Sequence, residues 1–312
     1  MNVLVTGGVG YIGSHLVNAL RQAGHAVRVL DLRPPNGRLL ADPGCDFIQS
    51  SVTDRSLVAQ VAQDIEVVYH LAWRFYPEFR PEDERREVQE NLRGTLNLLE
   101  AALAAGVQHL LFASTAVVYG PTGPSRVAEE HPCHPERGTI GGPVYGIAKL
   151  ACEKLCLLYQ QRGLPVTVFR MHGVFSEGHL SQFGQVIEQA LVGRPVRAVR
   201  EAGGEYVHLQ DVLPALLLAM DSPKAHGEVF NLAGSYTYSD PELAHYIVET
   251  AESDSRIELV TDPSQAMISV SVDKLRRLMD FEPEREEFLK GLIEHAIAGR
   301  TAAFKRGTET SY

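Results

Sequence analysis

The sequence predicts an α/β fold, a doubly wound parallel sheet with a smaller C-terminal α+β domain, in a chain of 312 residues. Three observations carry this. The chain opens on a strand, a glycine turn, a helix and a second strand. Short apolar runs then alternate with helical patterns as far as about residue 171, the rhythm of a parallel sheet covered on both faces. Beyond that point the rhythm changes to short elements of mixed type.

Asn2 to Thr6 is a short apolar run that ends in Gly7, Gly8, Val9, Gly10, Tyr11, Ile12 and Gly13. Ile12, Leu16, Ala19, Leu20 and Ala23 follow at helical spacing, and Gly24 stops the helix. Ala26 to Leu30 is a second strand, closed by Asp31. An acid about 20 residues past a glycine turn, in a strand–helix–strand unit, is the pattern of a Rossmann dinucleotide site. Gly7 permits the tight turn, Gly10 lets the backbone approach a pyrophosphate, and Gly13 lets the helix sit close on the strand. The helix N-terminus, with Tyr11 and Ile12 in its first turn, offers N–H groups and a positive dipole end to the phosphates. Asp31 would accept hydrogen bonds from the adenosine ribose and repel a 2′-phosphate, which favours NAD over NADP. Arg33, close by, argues the other way.

Phe47 to Gln49 reads as the third strand, Leu57 to Ala62 as a short helix, and Val67 to Leu71 as the fourth strand. Glu82 to Ala105 is a long helix ended by Gly106, and its first charges, Glu82 to Glu87, read as a solvated helix start. His109 to Ala113 is the fifth strand, Val144 to Gln161 the next helix, and Val166 to Arg170 the sixth strand. Helices then follow at Ser181–Leu191, Asp211–Met220, Pro241–Glu249, Val272–Met279 and Glu286–Ala298, with strands at Pro195–Val199 and Val229–Leu232. Arg300 to Tyr312 reads as a frayed tail. These elements divide into a nucleotide domain, 1–171 plus about 205–232, and a substrate domain, about 172–204 plus 233–312. Trp73 to Arg86 and Tyr119 to Pro143 fit no regular element. Both leave the sheet at its carboxyl edge, where ligands of such sheets lie, so both are candidate site walls.

A formal net charge of −10 argues against nucleic acid or an anionic membrane as the main partner. The first apolar run is a glycine-broken strand rather than a signal peptide, and no stretch is long enough to span a bilayer, so a cytoplasmic protein is expected. Four cysteines, Cys45, Cys133, Cys152 and Cys156, are expected to be reduced. Cys152 and Cys156 read as small residues on a packed helix face. No ligand pair accompanies them or the run His131 to His134, so no metal is expected.

The chemistry is carried by Tyr145 and Lys149, four apart on one helix face. A tyrosine, ordinary pKa near 10, is a poor base. A lysine about 4 Å away, at an effective dielectric of about 20, favours the phenolate by about 4 kcal/mol. That is about three pKa units, which would bring Tyr145 towards neutrality. Ser114 and Thr115 sit at the carboxyl end of the fifth strand, where a hydroxyl can hold a substrate oxygen for proton transfer.

These stretches together resemble the extended short-chain dehydrogenase/reductases of the NAD-dependent epimerase/dehydratase family. The resemblance runs through VTGGVGYIGSHLV, Asp31, YHLAW at 69–73, ENLRGTLNLLEAA at 90–102, ASTAVVYG at 113–120, YGIAK at 145–149, YVHLQDVLPALLLAM at 206–220, GEVFNLAG at 227–234 and VDKLRRLMDFEP at 272–283. It implies Tyr145 as acid/base, Lys149 as its partner and Thr115 as the catalytic hydroxyl, preceded by Ser114. It places Leu71, Ala72 and Trp73 along NAD, Ser51 and Val52 where the family contacts adenine, and Asn91 at a family asparagine, as a substrate contact. It also implies a homodimer made through the helices at 82–105 and 144–161.

The same resemblance narrows the reaction. Family dehydratases carry Asp-Glu directly after the threonine, and decarboxylases a glutamate at the second of these positions. Here they are Ala116 and Val117, which disfavours both eliminations. The substrate side departs further. The family Arg-x-x-Asn-x-Tyr-Gly-Pro becomes Arg170, Met171, His172, Gly173, Val174, Phe175, Ser176, Glu177. The later Arg-Asp is Gly204-Glu205, and no arginine lies between Thr261 and Met267. These residues hold the substrate diphosphate, a task suited to arginine. Arg194, Arg197 and Arg200 either replace them or are solvated surface charges. His172 is either a substrate contact or a packing residue. The expected activity is therefore a sugar-nucleotide C4 epimerase. The alternatives are a dehydrogenase or reductase of a non-nucleotide hydroxy/keto substrate, and a non-catalytic NAD-binding regulator.

Overall fold

The computed structural model describes residues 1–35, 45–76, 78–177, 179–180, 183–283 and 288–305. The first half runs β1 (Asn2–Thr6), α1 (Tyr11–Gln22), β2 (Ala26–Asp31), β3 (Asp46–Gln49), α2 (Arg55–Val61), β4 (Val67–His70), α3 (Pro81–Ala105), β5 (His109–Thr115), α4 (Tyr145–Gln161) and β6 (Val166–Met171). The second half runs α5 (Phe183–Leu191), β7 (Val196–Val199), β8 (Gly203–Gly204), α6 (Leu209–Met220), β9 (Val229–Leu232), β10 (Tyr238–Ser239), α7 (Asp240–Thr250), β11 (Ile257–Val260), α8 (Asp273–Met279) and α9 (Phe288–Lys305). Seven strands form one sheet in the order β3-β2-β1-β4-β5-β6-β9, every pair parallel. The order reverses between β1 and β4, which opens a crevice beyond their carboxyl ends. This is a Rossmann-like doubly wound sheet.

Alternation along β1 shows why both faces are covered. Val3 and Val5 enter the core made with Leu16 and Leu20 of α1 and Leu216 of α6, while Leu4 enters the core made with Leu98 of α3 and Cys152 and Cys156 of α4. A third core, with Phe183, Ile187, Val196, Leu243 and Ile293, ties α5, β7, α7 and α9 together outside the sheet. The pairs β7–β11 and β8–β10 stand outside the main sheet; β8 and β10, two residues each, escaped the sequence reading because they are too short for a period, and β11 because none of its four residues is fully buried and no apolar alternation marks it.

Most element ends move by one or two residues. The C-terminal helix moves more. It runs on to Lys305 rather than fraying from Arg300, because Arg300 donates to the Gly184 carbonyl at 2.9 Å and Ile297 packs in the third core. The expected helix starts at 181–182 and at 286, and the tail at 306–312, lie outside the described residues. No helix among the described residues is long and apolar enough to cross a membrane.

Two buried histidines set a pH dependence of stability. His70 is held between Thr6 Oγ1 at 2.8 Å and Thr95 Oγ1 at 3.0 Å. His109 lies 2.8 Å from Thr167 Oγ1. Burial lowers His70 to about 3 and His109 to about 4 from the usual 6.5. The unfolded chain therefore takes up both protons below pH 6.5, and the folded chain only near the lowered values. Stability is fully present above pH 6.5 and drains as pH falls towards 4 and then 3. Urea midpoints measured across this range should fall steadily, and His70→Gln should flatten the fall; a profile unchanged by that variant would contradict the assignment.

Candidate functional site

The glycine turn lies at the head of the crevice. Gly7 has φ +75°, and a Cβ there would stand 2.6 Å from Ala72 N, so the turn and the segment after β4 touch through backbone. A Cβ on Gly13 would stand 2.2 Å from the Gly7 carbonyl oxygen, which keeps α1 close against the turn. Gly10 is the N-cap of α1 and no side chain caps that end, so Tyr11 and Ile12 open the helix as the sequence placed them. The turn is held from behind by Asp31, whose Oδ2 accepts from Val9 N at 2.9 Å and whose Oδ1 accepts from Arg33 N at 3.0 Å. Arg33 also lies 3.6 Å from this carboxylate as an ion pair. A carboxylate has lone pairs left over after two such bonds. These features fit a dinucleotide: close backbone, an uncapped helix start and an acid at the end of the second strand.

Beyond β2 and β3 a cavity of about 410 Å³ is lined by Leu32, Ser51, Thr53, Arg74, Gln89, Glu90 and Arg93. Ser51 lies in this wall. The Val52 side chain packs towards Gly94 of α3, where a Cβ would stand 2.4 Å from Val52 Cγ2. Arg74, Gln89, Glu90 and Arg93 were missed, since an irregular loop and an exposed helix face give no signal of a shared wall.

Thr115 ends β5 and caps the short 3-10 turn at Ala116–Tyr119, its Oγ1 accepting from Val117 N at 3.2 Å. The same side chain acts on the Tyr145 phenol and draws its pKa down. Tyr145 is the first residue of α4, and Lys149 follows one turn on. Lys149 Nζ donates to the Ala113 carbonyl at 2.7 Å and lies 3.9 Å from the centre of the Trp73 ring. The structure therefore corrects the electrostatic expectation for Tyr145. Burial pushes its phenol up to about 12, the Thr115 side chain pulls it back, and the Glu87 charge raises it further. Burial lowers the Lys149 ammonium to about 8.

Four other expected residues have different work. Ser114 donates to Glu153 Oε1 at 2.5 Å and belongs to a buried network rather than to the crevice. In that network Arg170 pairs with Glu153 at 2.8 Å and donates to the Tyr119 hydroxyl at 2.8 Å. Asn91 spends its amide on the chain, donating to the carbonyls of Arg74 and Glu87 and accepting from Arg74 N, each at 2.8 Å, so it pins the segment after β4. Arg194 and Arg200 are exposed and line neither cavity. They flank β7, on which Val196 and Ala198 point inwards and Arg197 outwards. Arg197 borders a cavity of about 350 Å³ with Gln189, Asp240 and Gln265.

His172 is 8% exposed and stacks on Tyr206, ring centres 5.8 Å apart. Its Nδ1 has no hydrogen-bond partner among the described residues. A Cβ on Gly204 would stand 1.9 Å from His172 Cε1, so glycine replaces the expected arginine in order to house this ring. Glu205 beside it is fully buried and paired with Arg126 at 3.3 Å.

The run Glu82 to Glu87 is a solvated start only in part. Glu82 is exposed, but Asp83 and Glu87 are each 2% exposed. Asp83 accepts from Arg80 Nε at 2.8 Å, and Glu87 accepts from the Trp73 indole at 3.3 Å.

A family model, described as the NAD dependent epimerase/dehydratase family, matches residues 3–233. The chain is similar to a UDP-N-acetyl-alpha-D-glucosaminuronate decarboxylase of Bacillus cytotoxicus, 29% identical over 264 residues and 81% of each chain. It is similar to a UDP-glucose 4-epimerase of Lactobacillus helveticus, 28% identical over 83% of each chain. Among solved structures it is similar to the UDP-glucose 4-epimerase of Thermotoga maritima with UDP-glucose. There the identity is 27% and the TM-score 0.81, over 97% of this chain and 99% of that one.

Proposed function

The chain belongs to the NAD-dependent epimerase/dehydratase family, and on that premise we propose that it moves a hydride between NAD and a hydroxyl-bearing carbon of a nucleotide sugar, with C4 epimerisation as the net reaction. NAD is the cofactor. The turn at Gly7, Gly10 and Gly13 with the start of α1 would hold its pyrophosphate, and Asp31 its adenosine ribose. The cavity at Ser51 would take the adenine. When bound, NAD supplies the hydride acceptor. The chain's own residues do the rest. Tyr145 takes the substrate hydroxyl proton and returns it, Thr115 holds the phenol in place, and Lys149 supplies positive charge one turn away. The 1–171 plus 205–232 part carries this machinery, and the remainder covers the substrate.

One observation carries the choice of net reaction. Ala116 and Val117, buried directly after Thr115, have no proton to give or take, so no carboxylate stands where the family's eliminations need one. Similarity does not decide it, because relatives at 29% and 28% identity are a decarboxylase and an epimerase. A second reading, a dehydrogenase or reductase of a non-nucleotide substrate, is favoured by the His172 ring that fills the place of an arginine at Gly204. A substrate panel separates them. Interconversion of UDP-hexoses with no net NADH supports the first. Stoichiometric NADH change with a free alcohol or ketone supports the second. Bound NAD with no turnover on either class overturns both. We further propose a homodimer through α3 and α4, which expose Leu96, Ile147 and Leu158.

Asp31→Ala is expected to weaken NAD binding by about 1.5–3 kcal/mol, the worth of hydrogen bonds to a charged group. It also frees Arg33 to meet a 2′-phosphate, so the preference for NAD over NADP should shrink. Calorimetric titration with both cofactors checks this, and a wild-type chain that prefers NADP would contradict it.

A further inference from the structure

Trp73 is the single tryptophan of the chain. The sequence placed it along the cofactor; the fold shows contacts of a different kind. Its indole N–H donates to Glu87 Oε1 at 3.3 Å, and its ring face meets Lys149 Nζ at 3.9 Å. The Tyr145 ring meets it edge-on, centres 5.8 Å apart. Glu87 lies on α3 one turn before Asn91, and Asn91 fixes the neighbouring residue of the same segment through the Arg74 backbone. The segment after β4 is thus clamped at two successive residues, and the outcome of the clamp is an indole face beneath the Lys149 ammonium.

We propose that Trp73 and Glu87 are positioning residues for Lys149: the Glu87 carboxylate fixes the indole through its N–H, and the indole face carries the ammonium beside Tyr145. This rests on the reading of Tyr145 and Lys149 as the proton-transfer pair. A cation over an indole face is held by the ring quadrupole, most strongly where water is excluded. Lys149 is buried, so without such partners it would shed its proton readily. Burial is the largest influence on it, and Cys152, Glu153, Cys156 and Glu87 act in the opposite sense. The other titratable neighbours are Tyr145 on the same helix and His70 on β4, which burial keeps neutral. Glu153 is already committed to Arg170 and Ser114. Glu153 acts on the ammonium more strongly than Glu87, but Glu87 is the carboxylate tied to it through the indole.

A single tryptophan makes the test direct, because emission excited where tyrosine is dark reports on Trp73 alone. A pH titration of the full-length chain should show a change in emission with a midpoint near about 8, the value to which burial lowers Lys149. The change should vanish in Lys149→Met. In Glu87→Gln the midpoint should move to lower pH, and the pH profile of kcat/KM should move with it. Trp73→Phe keeps an aromatic face and should retain more activity than Trp73→Ala. An emission change that persists in Lys149→Met, or a wild-type chain with none, overturns the proposal. Should Glu87→Gln fail to fold by circular dichroism, the Lys149→Met titration decides alone. Wild-type turnover in Tyr145→Phe would instead overturn the proton-transfer reading, and the emission titration would still report the Trp73–Lys149 contact independently.

Discussion

Tyr145→Phe is expected to lower turnover by about 10²- to 10⁴-fold, the usual worth of a positioned acid/base, while NAD binding stays within a few-fold. The substitution keeps the ring that meets Trp73 edge-on at 5.8 Å and Phe75 at 6.2 Å, so the wall of the crevice survives. What goes is the phenol hydroxyl that Thr115 influences. In the protein as described that phenol is protonated at neutral pH, since burial holds it at about 12. Its work as a base therefore depends on positive charge delivered to it. In the proposed mechanism Lys149, one helical turn away, and the oxidised nicotinamide would supply that charge. Steady-state rates and cofactor titrations on the same preparation check both halves of the expectation. Turnover near wild type would remove Tyr145 from the chemistry.

The second large effect concerns stability. Glu153 is fully buried and accepts from Ser114, from Arg170 Nε and from Arg170 Nη2. Arg170 is itself 4% exposed. Glu153→Ala leaves that guanidinium buried without its counter-charge, a loss of about 3–5 kcal/mol. Burial alone would lower the Arg170 pKa, yet the bond to Glu153 and its charge raise it well above the usual arginine value. Replacing both partners, Glu153→Leu with Arg170→Met, should cost less than Glu153→Ala alone, because no orphaned charge remains. Urea unfolding of the three variants measures this. A double variant no better than the single would mean that packing, rather than charge, holds this part of β5, α4 and β6.

The cofactor half was readable because its signals are local. Gly7 to Asp31 is one continuous unit whose glycines and acid act on each other within the unit, so spacing alone conveys the geometry. Tyr145 and Lys149 were readable for the same reason, as neighbours on one helix face. What was not legible depends on partners distant in sequence. Ser114 looked like a crevice hydroxyl until α4 brought Glu153 to it. Asn91 looked like a substrate contact until the segment after β4 folded back onto it. Glu87 looked solvated because its neighbours in sequence are charged, yet the helix turns it inwards to Trp73. The lowering of the Tyr145 pKa failed because the sequence gives the spacing of a lysine but not the depth of a phenol. Arg194 and Arg200 flank β7 on exposed chain, and an arginine's position in the sequence does not convey whether the chain around it turns to a site or to solvent.

The hydride-transfer claim is tested most directly by the fate of the hydrogen on the reacting carbon. UDP-glucose carrying deuterium at C4, incubated with the NAD-bound protein, is predicted to give UDP-galactose that retains the deuterium at C4, with no net NADH. Loss of the label to water, or NADH formed in proportion to sugar consumed, would contradict it.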